Sequence, residues 1–145
     1  MSPIRVLALA LLTLMALAAA GCAVGPPPSC GDNIGGTADT AKFDQSFGSL
    51  ALVSQSTGQP GAPGQEGAEF AQGTALAIQA DSKAEVALRA CIQPRSGGAS
   101  LALDKTQTLA AGKGTFNLGS FPPGSYVVRG IVAGTLVKNF PFVVK

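Results

Sequence analysis

The chain has no histidine and no tryptophan, and a single tyrosine among its 145 residues. Without histidine there is no Ser-His-Asp or Cys-His nucleophilic site, no histidine-bound zinc and no imidazole general base. Charge is scarce as well. Asp, Glu, Lys and Arg make up 12% of the residues, the formal net charge is +2, and no basic cluster interrupts the chain. A nucleic-acid binder would need such a cluster, so nucleic acid is excluded as a partner. No Gly-x-Gly-x-x-Gly or Gly-Lys-Ser/Thr loop is present to cradle a phosphate. Of the three cysteines, Cys30 and Cys91 lie too far apart for a Cys-x-x-Cys redox motif and read as structural.

The carboxylates offer little more. Glu66 and Glu69 sit beside a proline-rich loop, and Asp81 and Glu85 flank a turn, positions where solvated charge is the default. Paired acids could do glycosidase work, but no tryptophan platform for a sugar stands beside them. Asp32, Asn33, Asp39 and Asp44 are oxygen-rich but miss the spacing of an EF-hand loop. The expectation is a protein that is not an enzyme, with no catalytic residues, no metal site, no cofactor and no small-molecule substrate.

What is abundant is glycine (19) and proline (10). Low charge with many turn-formers points to an all-β domain with irregular connections. Ahead of it lies an apolar run. Met1 to Arg5 carry one positive charge, and Val6 to Ala20 are apolar except for Thr13. The run is too short for the ~20 residues of a spanning helix, and it fits the n-region, h-region and small-residue end of an export signal.

That run closes with Leu17-Ala-Ala-Ala-Gly-Cys22, which resembles the lipobox of bacterial lipoproteins, with Ala19 where leucine is usual. The resemblance implies cleavage before Cys22, a diacylglyceryl group on its thiol (palmitate-type lipidation), and an envelope location on the extracytoplasmic side. Ala23 rather than aspartate after the cysteine is compatible with outer-membrane sorting. The alternative is an ordinary secretory signal cut after Ala20, with Cys22 as one more disulfide cysteine. With Cys22 lipidated, Cys30 and Cys91 are left to pair outside the cytosol. Closing so long a loop stabilises by about 4 kcal/mol on the chain-entropy model.

The division is then 1–21 signal peptide, 22–42 lipidated Pro/Gly-rich tether and 43–145 β-sandwich. Alternation of apolar residues marks seven strands. Leu50 and Leu52 mark the first, over Ser49 to Gln55, and Leu76 and Ile78 the second, over Thr74 to Ala80. Between them, Gly58 to Gly67 has the collagen triplet but is too short for a triple helix, and reads as a surface loop. Ala84 to Ile92 is ambiguous: Ser82 and Glu85 have capping-box spacing for a helix, while Val86, Leu88, Ala90 and Ile92 alternate. Strand is preferred, with Asp81-Ser82 as the preceding turn, and it places Cys91 on the face opposite Leu88. Ser100 to Leu109 follows with Leu101 and Leu103 inward, then Thr115 to Leu118 with Phe116 and Leu118. Two final strands flank a hairpin turn at Ala133-Gly134, and Pro141 puts the last strand at an edge.

Gly124-Ser-Tyr126-Val-Val128 resembles the start of strand F in immunoglobulin-like domains. That likeness implies a corner tyrosine, Tyr126, whose hydroxyl bonds back to the chain. Gly114-Thr-Phe116-Asn-Leu118 followed by Pro122-Pro-Gly-Ser-Tyr126 is similar to prealbumin-like sandwiches of the carboxypeptidase regulatory type. Either resemblance implies a single sandwich, and neither assigns an activity. The functional expectation is a lipid-anchored, non-catalytic envelope module for binding, adhesion or scaffolding, with a membrane and an envelope protein as partners. The alternative is a lipoprotein subunit of a secretion or surface-filament machine.

Overall fold

In β5, Val86–Pro94, side chains alternate to opposite sides and both sides are covered: Leu88, Ala90 and Ile92 are fully buried, and so is Cys91 between them. The helix alternative for this stretch is thereby decided in favour of the strand. The computed structural model describes residues 30, 31, 36–95 and 101–145. Around β5 it sets one short helix, α1 (Thr40–Ser46), and eight further strands. These are β1 (Phe47–Ser54), β2 (Ala62–Gly64), β3 (Gly67–Phe70), β4 (Leu76–Ser82), β6 (Leu103–Leu109), β7 (Gly112–Gly119), β8 (Gly124–Val132) and β9 (Thr135–Val144). Among the described residues no helix is long and apolar enough to cross a membrane.

The strands form two sheets, β1-β4-β7 and β2-β3-β9-β8-β5-β6. Period-2 patterning makes them a sandwich. Leu50 and Leu52 of β1, Leu76, Ile78 and Ala80 of β4, and Phe116 and Leu118 of β7 share one core with Leu88, Ile92, Val128, Val137 and Phe140 of the larger sheet. Each fully buried Leu, Ile, Val or Phe contributes about 1.5–3 kcal/mol, so the core face of every strand is strongly specified. At one end of the core Phe142 stacks on Tyr126 at 5.1 Å and meets Phe121 at 5.7 Å and Phe70 at 6.4 Å. These rings join β3, β8, β9 and the segment before β8.

Taken in chain order without the β2–β3 hairpin, strands one, two and five face strands seven, six, three and four. This A-B-E against G-F-C order is the immunoglobulin arrangement, with the fourth strand paired to C rather than to E. The open edge of β7 is covered from the other sheet. Gln107 Nε2 donates to Thr115 O at 3.1 Å and Lys105 Nζ to Asn117 O at 3.5 Å, so two side chains of β6 occupy carbonyls that would otherwise invite another strand.

All seven expected strands are present, with four local differences. The Pro- and Gly-rich stretch expected as a loop carries the β2–β3 hairpin, and β3 runs parallel to β9 from Ala68↔Phe142 to Phe70↔Val144. Up to Pro141 the last strand has β8 as its only strand partner among the described residues, as expected of an edge, and it is interior to its sheet only over Phe142 to Val144. Pro141 lacks a donor, but its carbonyl points at Gly67, away from β8, so no ladder bond to β8 is lost. The turn after β4 falls beyond Ser82, at residues 83–85, because Asp81 and Ser82 still pair with β7. Leu101 packs on the outer side of the sheet rather than in the main core.

The fourth difference is α1, inside the segment read as tether. Asp39 caps it by accepting from Lys42 N at 2.8 Å, while Asp39 N donates to Leu136 O of β9 at 2.8 Å. A bulge in β9 sets Val137 and Lys138 opposite Gly130. Val137 fills the core, and the Lys138 ammonium lies 5.4 Å from the centre of the Phe43 ring of α1.

Among the described glycines, Gly67 makes the tightest backbone approach. It has φ +128°, and a Cβ there would meet the Pro141 carbonyl oxygen. Gly67→Ala should therefore unseat the β2–β3 hairpin and cost about 2–4 kcal/mol of stability, measurable by urea unfolding. A change below ~0.5 kcal/mol would show that the hairpin contributes nothing to the sandwich.

Candidate functional site

The outer face of the six-stranded sheet holds the feature that the sequence singled out. Alternation that buries Leu88 and Ile92 inward turns Arg89, Cys91 and Gln93 outward. Cys91 is bonded there to Cys30, with Cα atoms 5.7 Å apart and a sequence separation of 61. The expected bridge is formed, and on the expected face. A small second core encloses it: Cys30, Cys91, Ile131 and Leu136 are buried together, with Ala38 and Leu101 packed against them. The same bulge that fills the core with Val137 aligns Leu136 with Ile131 over the disulfide.

Arg89 fastens the clamp electrostatically. Its Nε and Nη2 donate to the two carboxylate oxygens of Asp104 on β6 at 2.8 and 2.7 Å, a bidentate pair, and Nη1 donates to Cys30 O at 3.5 Å. The hydrogen bond from Arg89 holds the Asp104 carboxyl below the usual carboxylate range, and the same bond raises the guanidinium. The pair thus ties the backbone at Cys30 to two adjacent strands.

Tyr126 is the corner tyrosine. It is buried, and its hydroxyl donates to Pro122 O at 2.9 Å, four residues back, while Val128 beneath it fills the core where antibody-type domains carry a cysteine. Cys22, the expected lipidation site, lies outside the described residues, as do Asp32 and Asn33.

The four weighed carboxylates are not brought together as a catalytic pair. Glu66 accepts from Ser125 Oγ at 2.8 Å, and its backbone carbonyl accepts from Arg95 Nη1 at 2.8 Å; these contacts pin the β2–β3 turn to the sheet. Glu69 pairs with Lys145 at 2.6 Å. Asp81 stands in register with Lys113 on the opposite side of the sandwich, and Glu85 is exposed in the turn before β5. Asp39 is spent on the cap of α1, and the Asp44 carbonyl accepts from Lys83 Nζ. Among the described residues no three of His, Cys, Asp and Glu gather in a metal-holding group.

Beside the clamp runs a shallow, open cleft of about 560 Å³ walled by Gln93, Arg95, Val127, Arg129, Asn139 and Pro141. Arg129 Nε donates to Gln93 Oε1 at 3.0 Å across it. Such a surface can hydrogen-bond and exclude some water. It holds no nucleophile set against a general base. The Arg89–Asp104 pair was legible only in part. Asp104 lies 15 residues on from Arg89, and only the β5–β6 register brings the two together.

Comparison with protein-family models and with curated protein sequences finds no match to this chain.

Two outcomes follow from this geometry. Tyr126→Phe should cost about 1–2 kcal/mol, because Pro122 O loses its donor, with the fold retained by circular dichroism. Asp104 has a lowered carboxyl pKa in the folded state, so its contribution is present above the unfolded value and is lost as pH falls through the folded one. The stability difference between wild type and Asp104→Asn should therefore shrink between about pH 5 and about pH 2. It should be small throughout, since both partners are a third exposed.

Proposed function

We propose that the protein is a lipid-anchored, non-catalytic module of a bacterial envelope that binds or scaffolds another component close to the membrane. The observation that carries this reading is the Cys30–Cys91 clamp. A disulfide persists in an oxidising compartment, which supports a location outside the cytosol and is consistent with the expected export signal. The clamp also fixes Cys30, only a few residues after Cys22, to the sheet. A lipidated Cys22 would hold the sandwich within roughly 25 Å of the bilayer. Two acyl chains or more suffice for stable anchoring without a spanning helix. The exposed surface is built of hydrogen-bonding groups on rigid strands, a composition suited to holding a partner.

The test is the intact mass of protein extracted from membranes with detergent, before and after reduction with thiol labelling. The expected result is a mass for residues 22–145 plus acyl groups, with two thiols appearing only on reduction. Cys22→Ala should abolish both the acyl mass and retention in the membrane fraction. An unlipidated wild-type mass would overturn the anchor.

A further inference from the structure

We propose that the outer face of the six-stranded sheet is the membrane-facing surface of the protein, apposed to lipid headgroups, with the three-stranded sheet turned away from the bilayer. This rests on the lipid anchor proposed above, and it adds an orientation that the anchor alone does not specify. The argument begins with where the N-terminal chain meets the fold. Cys30 is buried and is fastened at three points to one face only: by the disulfide to Cys91, by Arg89 to its carbonyl, and by packing against Ile131 and Leu136. Cys30, the residue from which the chain leads back toward Cys22, is therefore seated on that face, over β5.

Length then counts against the opposite orientation. From Cys22 to Cys30 the chain spans at most ~27 Å when fully extended. To lay the three-stranded sheet on the bilayer, it would have to run from Cys91 past β6 to the sheet edge, about 10 Å. It would then have to pass two sheets and their side chains, about 20 Å more. The requirement of about 30 Å exceeds the reach. With the six-stranded sheet toward the membrane, the same chain is slack.

Charge agrees with length. Arg89, Arg95 and Arg129 are the only arginines among the described residues, and all three project from this face. The outer face of the three-stranded sheet presents Ser49, Ala51, Gln79 and Thr115, with Asp81 and Lys113 opposite each other. Arg95 and Arg129 are favourably placed beside anionic headgroups, whereas the Arg89 guanidinium is already held by Asp104 and Cys30 O.

The processed protein is reconstituted in phosphatidylcholine–phosphatidylglycerol vesicles that carry a contact quencher on their headgroups. A dye is attached through an incorporated azido amino acid, leaving the cysteines untouched, either at Thr106 or at Ala51. Thr106 is exposed on the outer face of the six-stranded sheet, opposite Arg89; Ala51 is exposed on the outer face of the other sheet. The faces are ~20 Å apart, beyond the range of a contact quencher, so quenching at Thr106 should exceed that at Ala51 by at least about threefold. A Gly-Ser insert of about 16 residues after Pro28 leaves the sandwich intact and should bring the ratio toward one. Equal quenching in the native-length protein, stronger quenching at Ala51, or a ratio indifferent to the insert each overturns the orientation. The intact mass of the same sample separates the two claims. A lipidated protein with equal quenching loses the orientation alone, whereas an unlipidated one loses the anchor and the orientation with it.

Discussion

Cys91 is buried on one side of β5 while its neighbours Ala90 and Ile92 are buried on the other, and much of the molecule follows from that double cover. The inner side supplies part of the shared core. The outer side supplies the seat for Cys30, so a segment that would otherwise trail from the domain becomes part of it. The two covers are coupled through the pleat: a one-residue slip of β5 would send Leu88 into solvent and Cys91 into the core, breaking the sandwich and the clamp together. Hydrophobic burial thereby fixes the register that the disulfide needs. On the chain-entropy model the bridge adds about 4 kcal/mol in return, a large fraction of the stability of a small domain.

Irregularities in the strands serve this arrangement. The bulge in β9 lets one strand fill the core with Val137, lay Leu136 over the disulfide and offer Leu136 O to Asp39, the cap of α1. Gly67 allows β3 to join β9 in parallel where a Cβ would have met the Pro141 carbonyl. The hairpin turn carries Ala133 at φ 49° beside Gly134 at φ 75°, so both central residues have positive φ. That is the primed turn whose twist matches the strands, and Ala133 adopts it at a cost that β8 and β9 offset by pairing along their whole length.

The same construction gives the two broad faces different characters. Around the clamp, the six-stranded sheet carries the arginines, the bidentate pair with Asp104 and the cleft beside Arg129. The three-stranded sheet presents small polar side chains on a flat surface. On the proposed orientation, a lipid anchor joined to the first face would leave the second open to other components. The tether would then determine which surface is available.

Local pattern in the chain was enough for the all-β class, the seven main strands, the inward residues of each apart from Leu101, the corner role of Tyr126 and the face on which Cys91 would pair. Each of these depends on alternation or on a short motif, properties that neighbouring residues carry among themselves. The elements that depended on distant partners were different. Residues 62–64 and 67–70 have too much glycine and proline to favour strand alone, and become strands because β9 offers an edge and Phe70 reaches Phe142. Helix α1 is too short to show a period, and it is held by Asp39 and Phe43 against β9 and the core. The pairing of Arg89 with Asp104, the joining of β3 to the end of the last strand and the immunoglobulin order of the sheets all depend on which strands meet. Alternation sets the face of a strand but not its neighbour; only long-range burial and backbone pairing settle that choice.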